Sequence, residues 1–537
     1  MRRHLAVVLL LGGTLASAQV APERLRNAAR EAGSWLTYSG DYASRRFSPL
    51  TQIDPRNVQR LMVQWIYQTG VLGKLETTPL FIDGILYGTG PDNMAFALDP
   101  RSGRPLWRYQ RNLPAKVNAC CGKVNRGFAA LGELLFLATL DAHVVALDAK
   151  TGNLVWDVEA ADYRSGYSFT LAPLAIGDKV IVGVAGGEWG TRGFIDAYEA
   201  GTGRRLWRFY TIPGPGEGGH ETWSGDSWQI GGTPAWMTGS YDPELGLLYW
   251  PTGNPAPSNS GAGREGDNLY SNSMLALEVE TGRLRWHYQF TPFDLHDWDA
   301  TQTPVLLDAP IDGRPRRLLL QANRNGFYYV LDRATGELLR TRPYARVTWA
   351  KEIGKDGRPV VRSESDPSPE GAHACPGAAG ATNWMSPAFS PKAGLFYVAA
   401  REQCDVFTTS AEINRPGRPW IGSVYVPAAE EKDWGAVRAL DPLTGALRWE
   451  FKHFSAPWAG VLATAGGLVF SGDQEGYVIA LDAATGEERW HFQTGAAIYA
   501  APMSYRLDGR QHVVIGSGSA LLDFALPDPI APVKPKR

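Results

Sequence analysis

Short apolar runs rich in Val, Ile, Leu, Phe and Trp alternate along this chain with turns of Asp, Gly, Asn and Pro, which is the mark of β-strands joined by tight turns. One unit repeats. A small or apolar residue is followed two positions later by an acidic one, then by Thr-Gly or Ser-Gly, and four residues after the Gly stands a Trp. The copies are ALDPRSGRPLW ending at Trp107, ALDAKTGNLVW at Trp156, AYEAGTGRRLW at Trp207, ALEVETGRLRW at Trp286, ALDPLTGALRW at Trp449 and ALDAATGEERW at Trp490. VLDRATGELLR, ending at Arg340, is a seventh copy that lacks its Trp. Each predicts a strand, a turn built on Asp and Gly, and a second strand carrying an aromatic. The tryptophans are expected to pack between units rather than to do chemistry.

The turn glycines Gly103, Gly152, Gly203, Gly282, Gly336, Gly445 and Gly486 fall about 50 residues apart with longer gaps, the period of propeller blades. The 109 residues between Gly336 and Gly445 predict one blade carrying insertions. Strand-like segments at 386–389 and 395–399 are flanked there by polar, Gly- and Pro-rich stretches at 354–380 and 401–434. The two ends also match. QWIYQTG at 64–70 resembles RWHFQTG at 489–495, so Trp65 reads as the last strand of a blade whose earlier strands come from HVVIGSGSALLDF at 512–524. Pairing the ends removes exposed sheet edges. The expectation is an all-β, eight-bladed β-propeller with tryptophan-docking repeats, closed by N- and C-terminal strands and occupying residues 19–537 as a single domain.

Composition narrows the class. A chain of 537 residues exceeds what one compact core supports, which suits a repetitive architecture. A hydrophobic fraction of 44% with 19 Trp excludes a largely disordered chain. A net charge of −2 gives no basis for nucleic acid or an anionic membrane as the main partner. Residues 1–18 open with Met1-Arg2-Arg3-His4, continue through an apolar run at 5–11 and end Ala16-Ser17-Ala18, which predicts a secretory signal peptide cleaved after Ala18. The apolar run is too short to span a bilayer. Four cysteines in an exported chain permit disulfides. Two of them are adjacent, Cys120 and Cys121 in NACCGKVNR. A bond between neighbours is geometrically demanding, and two thiols, or bonds to distant cysteines, are the alternatives at this point.

The informative residues lie outside the repeat, in GGEWG at 186–190, PTGNPAP at 251–257, DLHDWDATQTP at 294–304, NRNG at 323–326 and WAGVLATAGGLVFSG at 458–472. Glu188, Asn254 and Asp299 supply a carboxylate, an amide oxygen and a second carboxylate, the donor types that a hard cation such as Ca²⁺ takes. Asp297 beside Asp299 leaves open which carboxylate serves. Arg324 would neutralise an anionic ligand or enter a salt bridge.

Taken in order, SRRFSPLTQI at 44–53, the Trp repeats, ACCGKVNRG, the Glu, Asn and Asp segments and WAGVLATAGGLVF resemble the quinoprotein alcohol dehydrogenases of the methanol/ethanol dehydrogenase type over nearly all of the mature chain. The resemblance implies pyrroloquinoline quinone (PQQ) and Ca²⁺ as cofactors. It implies a disulfide between Cys120 and Cys121 on one face of the quinone and Trp236 stacked on the other. Arg126, Glu76, Thr170 and the Gly186-Gly187 backbone would contact the cofactor, Arg324 would sit near its reactive oxygens, and Asn383, Trp384 and Trp458 would complete the pocket. Glu188 and Asn254 would bind the metal, with Asp299 as both ligand and catalytic base. Cys375 and Cys404 match a second, structural disulfide. The implied activity is periplasmic oxidation of a primary alcohol or related hydroxyl compound. The chain has no CxxCH for a covalent haem, so the expected acceptor is a soluble or membrane-attached cytochrome c; homo-oligomerisation is left open. A sugar or polyol dehydrogenase, or a non-catalytic propeller serving as an assembly or binding platform, are the alternatives. The chain departs from the family at Thr301, where lanthanide-dependent relatives carry Asp, which favours Ca²⁺. Further departures are Ala185 and Thr382, where many relatives have Ser and Lys, and one extra residue before Trp236, so that no contact is assigned to Thr233.

Overall fold

Each copy of the repeat folds as the third and fourth strands of a four-stranded antiparallel sheet. The structure is a computed structural model and describes residues 20–117, 119–410, 414–415, 417–429 and 432–527; the predicted signal peptide at 1–18 lies outside the described residues, as does Asn118. Seven such sheets follow one another as blades 1 to 7, at 80–110, 129–159, 174–210, 240–289, 305–343, 388–453 and 462–493, blade 7 carrying Phe47–Ser48 as a fifth, parallel strand. Blade 8 is composite. Met503–Leu507, Arg510–Ser517 and Ala520–Ala525 form three strands, and Met62–Gln68 from the other end of the chain pairs with the last of them, Trp65 opposite Asp523. Main-chain hydrogen bonds between the two ends thus close the ring, as the matching end sequences predict.

The tryptophans dock between blades. The indole N–H groups of Trp65, Trp107, Trp156, Trp207, Trp286 and Trp449 each donate to a carbonyl in the next blade's turn, at Pro100, Ala149, Ala200, Val279, Arg333 and Ala483, over 2.7 to 3.2 Å. Each of those six carbonyl residues directly follows its own blade's Asp or Glu, and each ring lies against the turn glycine. The seven turn glycines have φ between +68° and +81°, and a Cβ on the six beneath a Trp would come within 2.8 Å of the ring. Glycine is therefore required there twice over, by conformation and by contact. Where the seventh copy lacks its Trp, Arg340 turns to Asp312 of its own blade, and Tyr328 takes over, its hydroxyl donating to Pro442 O at 2.9 Å beside Gly445. Trp490 packs edge-on against Phe524 of the closing blade.

The long gap before Gly445 holds the predicted insertions. Ala350–Ile353 pairs with Pro359–Val361 between blades 5 and 6, and Ala372–Ala374, Asp405–Thr409 and Ser423–Pro427 form a separate three-stranded sheet. A Cys375–Cys404 disulfide staples the base of this sheet.

Antiparallel order sorts the loops by face. In every blade the 1–2 and 3–4 turns lie on one side of the ring, whereas the 2–3 loops and the blade-to-blade linkers lie on the other. The repeated Asp-Gly turns all occupy the first side.

Candidate functional site

Every candidate residue outside the repeat comes from the second side. Linkers provide Glu76 (blade 8 to 1), Cys120, Cys121 and Arg126 (1 to 2), Thr170 (2 to 3), Trp236 (3 to 4), Asp299 (4 to 5), Asn383 and Trp384 (5 to 6) and Trp458 (6 to 7). The 2–3 loops of blades 3, 4 and 5 provide Gly186 to Glu188, Asn254 and Arg324. Together they surround one cavity of about 350 Å³, with Asn254 and Gly187 standing immediately behind its lining.

One side of this chamber is aromatic and basic. Cys120 and Cys121 are bonded to each other and line it. The Arg126 guanidinium lies 5.0 Å from the Trp236 ring and 5.6 Å from that of Trp384, and Trp384 stacks on Trp458 at 4.4 Å and 12°. Arg126 pairs with Glu76 at 2.7 Å, both buried, and donates to Thr170 O at 3.2 Å. Burial pushes the Glu76 carboxyl above its ordinary range, and Arg126 opposes the shift. Asn383 donates to Ala379 O at 3.0 Å.

The other side is acidic. The chain turns at Asp294, whose carboxylate accepts from the backbone N–H groups of His296 and Trp298 at 2.9 and 2.7 Å, and this local cap presents Asp297 and Asp299. Both lie on Arg324, Asp299 at 2.7 Å and Asp297 at 3.2 Å. Further contacts distinguish the two: Asp299 alone also accepts from Asn254 N–H at 2.7 Å and from the Trp236 indole at 3.3 Å. A Cβ at Gly253 would fall 2.0 Å from Asp299 Oδ1, so glycine makes room for that carboxylate. Arg324 is fixed in turn by Ala378 O, which accepts from its Nε at 3.0 Å.

Glu188 stands close to this pair. Burial pushes its carboxyl up to about 7, with the Asp299 charge adding to the rise and Arg324 opposing it. Burial also raises Asp299, against the pull of Arg324 and the Asn254 N–H, and raises Asp297 further. Three carboxylates therefore share a single guanidinium. Asn254 Oδ1 is buried without a hydrogen-bond partner among the described residues, and a Cβ at Gly187 would come within 3.2 Å of it. Surplus negative charge and an unpaired amide oxygen at one place are what a bound hard cation would satisfy. Thr301, two residues after Asp299, is fully buried, its hydroxyl unpartnered among the described residues.

Sequence reasoning missed the roof. Ser258 and Asn259, and from the blade 6 insertion Gln403, Asp405, Ile421 and Tyr425, also line the cavity. The insertion crosses the ring to reach them: Trp420 N–H donates to Glu188 O at 2.6 Å and Asn259 N–H to Ile421 O at 2.8 Å. Its length and Gly/Pro content marked it as an insertion, but nothing in its composition showed where it would land.

The family model for the glucose/ethanol/alcohol dehydrogenase β-propeller domain matches residues 35–348, and that for the outer membrane protein assembly factor BamB matches 433–522. The quinohemoprotein alcohol dehydrogenase ADH IIB of Pseudomonas putida is 41% identical over 95% of this chain and 77% of its own length. The quinoprotein alcohol dehydrogenase PedH of Pseudomonas putida is 38% identical over 96% of this chain and 90% of its own. The solved structure of a europium-containing methanol dehydrogenase superposes with a TM-score of 0.89 at 34% identity, covering 94% of this chain and all of that one.

Proposed function

The chain belongs to the PQQ-dependent alcohol dehydrogenases, and from that premise we propose how its own residues divide the oxidation of an alcohol among them. The observation that carries the reading is Asp299, buried and held by Arg324, Asn254 N–H and Trp236 while a second carboxylate and an unpaired amide oxygen face the same spot. Glu188, Asn254 Oδ1 and Asp299 would hold the cation. Thr301, with a hydroxyl where a carboxylate would add a charge, favours Ca²⁺ over a trivalent ion. Trp236 and the Cys120–Cys121 pair would flank the planar cofactor, with Arg126, Glu76, Thr170, Asn383, Trp384, Trp458 and the Gly186-Gly187 backbone around its rim.

Held there, the quinone would supply a two-electron acceptor and the cation a Lewis acid beside it. Asp299 takes the hydroxyl proton of the alcohol. Its Oδ1 is anchored by backbone and its Oδ2 by Arg324, so its lone pairs keep a fixed direction as the proton arrives. Arg324 then balances the change in charge. The roof and the stacked Trp384 and Trp458 keep bulk water away.

Electrons would leave to a separate cytochrome c, as the 537 residues contain no CxxCH. Export through the leader at 1–18 would place the enzyme in the periplasm as one propeller domain from residue 19. The test is reconstitution with PQQ and Ca²⁺, with dye reduction followed over an alcohol panel and the bound metal measured. Turnover with Ca²⁺ and a primary alcohol is expected; bound quinone without turnover would overturn the assignment, and activity with a lanthanide alone would overturn the choice of metal.

A further inference from the structure

The roof brings one side chain into the chamber from outside the ring. In strand Ser423–Pro427, Val424 and Val426 are 57% and 52% exposed, and Tyr425, between them and itself 44% exposed, lines the cavity. Tyr425 sits directly opposite Phe407 on the neighbouring strand, with ring centroids 5.9 Å apart. Phe407 meets His296 edge-on at 4.9 Å, and His296 stacks on Trp298 at 4.2 Å. This ladder of rings joins Tyr425 to the loop that presents Asp297 and Asp299, so its position is set by the same packing as theirs. The Cys375–Cys404 bond and the Cys404 carbonyl, which accepts from Ala428 N–H at 3.0 Å, fix the strand at its other end.

The Tyr425 hydroxyl has no hydrogen-bond partner among the described residues. Other polar groups of the roof are already engaged: Asp405 accepts from Ala378 N–H at 2.7 Å, and Gln403 accepts from Arg401 at 2.8 Å. Partial burial raises the phenol, Asp297 adds to the rise and Arg324 opposes it, so at neutral pH the hydroxyl is protonated and able to donate. A preorganised donor without a protein acceptor, facing the chamber where the alcohol is turned over, is suited to a substrate that carries an oxygen besides the reacting one.

Resting on the alcohol-oxidising reading above, we propose that Tyr425 is a specificity-determining residue whose hydroxyl donates to a second oxygen in the substrate's tail, so that the chamber selects diols and hydroxy ethers over plain alkanols. Replacing a donor aimed at a substrate oxygen costs about tenfold in affinity for the substrate that uses it. The experiment compares 1,3-propanediol with 1-propanol on enzyme loaded with PQQ and Ca²⁺. The wild type is expected to favour the diol in kcat/KM. Tyr425→Phe, which keeps the ring ladder, should lower the diol-to-alkanol ratio about tenfold, mostly through KM, and weaken the diol-induced change in the absorbance of the bound quinone by a similar factor. A wild type that prefers the alkanol, or a ratio unchanged in Tyr425→Phe, would overturn the proposal while leaving alcohol oxidation standing. Oxidation of neither compound would instead bring down the alcohol reading, and the assignment of Tyr425 with it. Equal thermal midpoints for the two proteins confirm that the comparison is between folded enzymes.

Discussion

On one side of the ring, seven turns built on an acidic residue and a glycine each receive an aromatic side chain from the preceding blade; on the other, loops of unequal length converge on one chamber of carboxylates, arginines and stacked indoles. The first side repeats one local solution. A turn with φ near +70° needs glycine, and the flat surface that glycine leaves accepts an indole whose N–H finds the turn carbonyl. The second side has no repeat. Its residues are tied to one another across blades, as Arg324 is to Asp297 and Asp299, or Arg126 to Glu76. The contrast teaches that sequence regularity marks what holds the ring together, and that departures from it mark the chemistry.

The comparison predicts that substitutions on the two sides separate activity from stability. Asp299→Asn should lower kcat/KM by about a thousandfold with the quinone still bound, seen as dye-linked turnover against the absorbance of the purified protein. Full activity in that variant would move the base elsewhere. Replacing both Cys375 and Cys404 by Ser opens a loop of 29 residues and should cost about 3.5 kcal/mol in denaturant unfolding, felt first at the roof.

Two buried groups should also respond to pH in opposite directions. His453, in the last strand of blade 6, is buried and held down to about 4 from 6.5, chiefly by burial. Its unfolded form binds a proton that the folded form refuses, so stability is full above 6.5 and falls by about 3 kcal/mol as pH drops through 4. Glu188 behaves in the reverse sense in metal-free protein. Its folded carboxyl stays protonated up to about 7, so the stability it contributes is full below 4.5 and is lost as pH rises through 7. Thermal midpoints from pH 4 to 8 should show both limbs, with His453→Gln flattening the acid limb and Glu188→Gln or added Ca²⁺ flattening the alkaline one.

The smallest effect belongs to a single dock. Trp156→Ala should cost about 2 kcal/mol, less than a fully buried indole would because its ring is half-buried, while the turnover of the folded fraction stays at the wild-type level. A large fall in turnover per folded molecule would show that the two sides are more tightly coupled than their loops suggest.

By itself the sequence determined the ring: blade count, the pairing of Trp65's strand with the C-terminal strands and the site of the insertions all follow from signals only a few residues long, such as alternation, an Asp-Gly turn and a Trp four residues on. It also placed the chamber residues through a family likeness, and Arg324, Glu188 and Asp299 do meet there. Tertiary structure alone decided two things. It showed that Asp297 and Asp299 share one guanidinium while only Asp299 reaches Asn254 and Trp236, because that depends on atoms from three blades. It also carried Tyr425 across the ring into the chamber, since the landing point of an insertion is set by what it packs against, here His296 and the backbone of Glu188, and not by any pattern within the insertion.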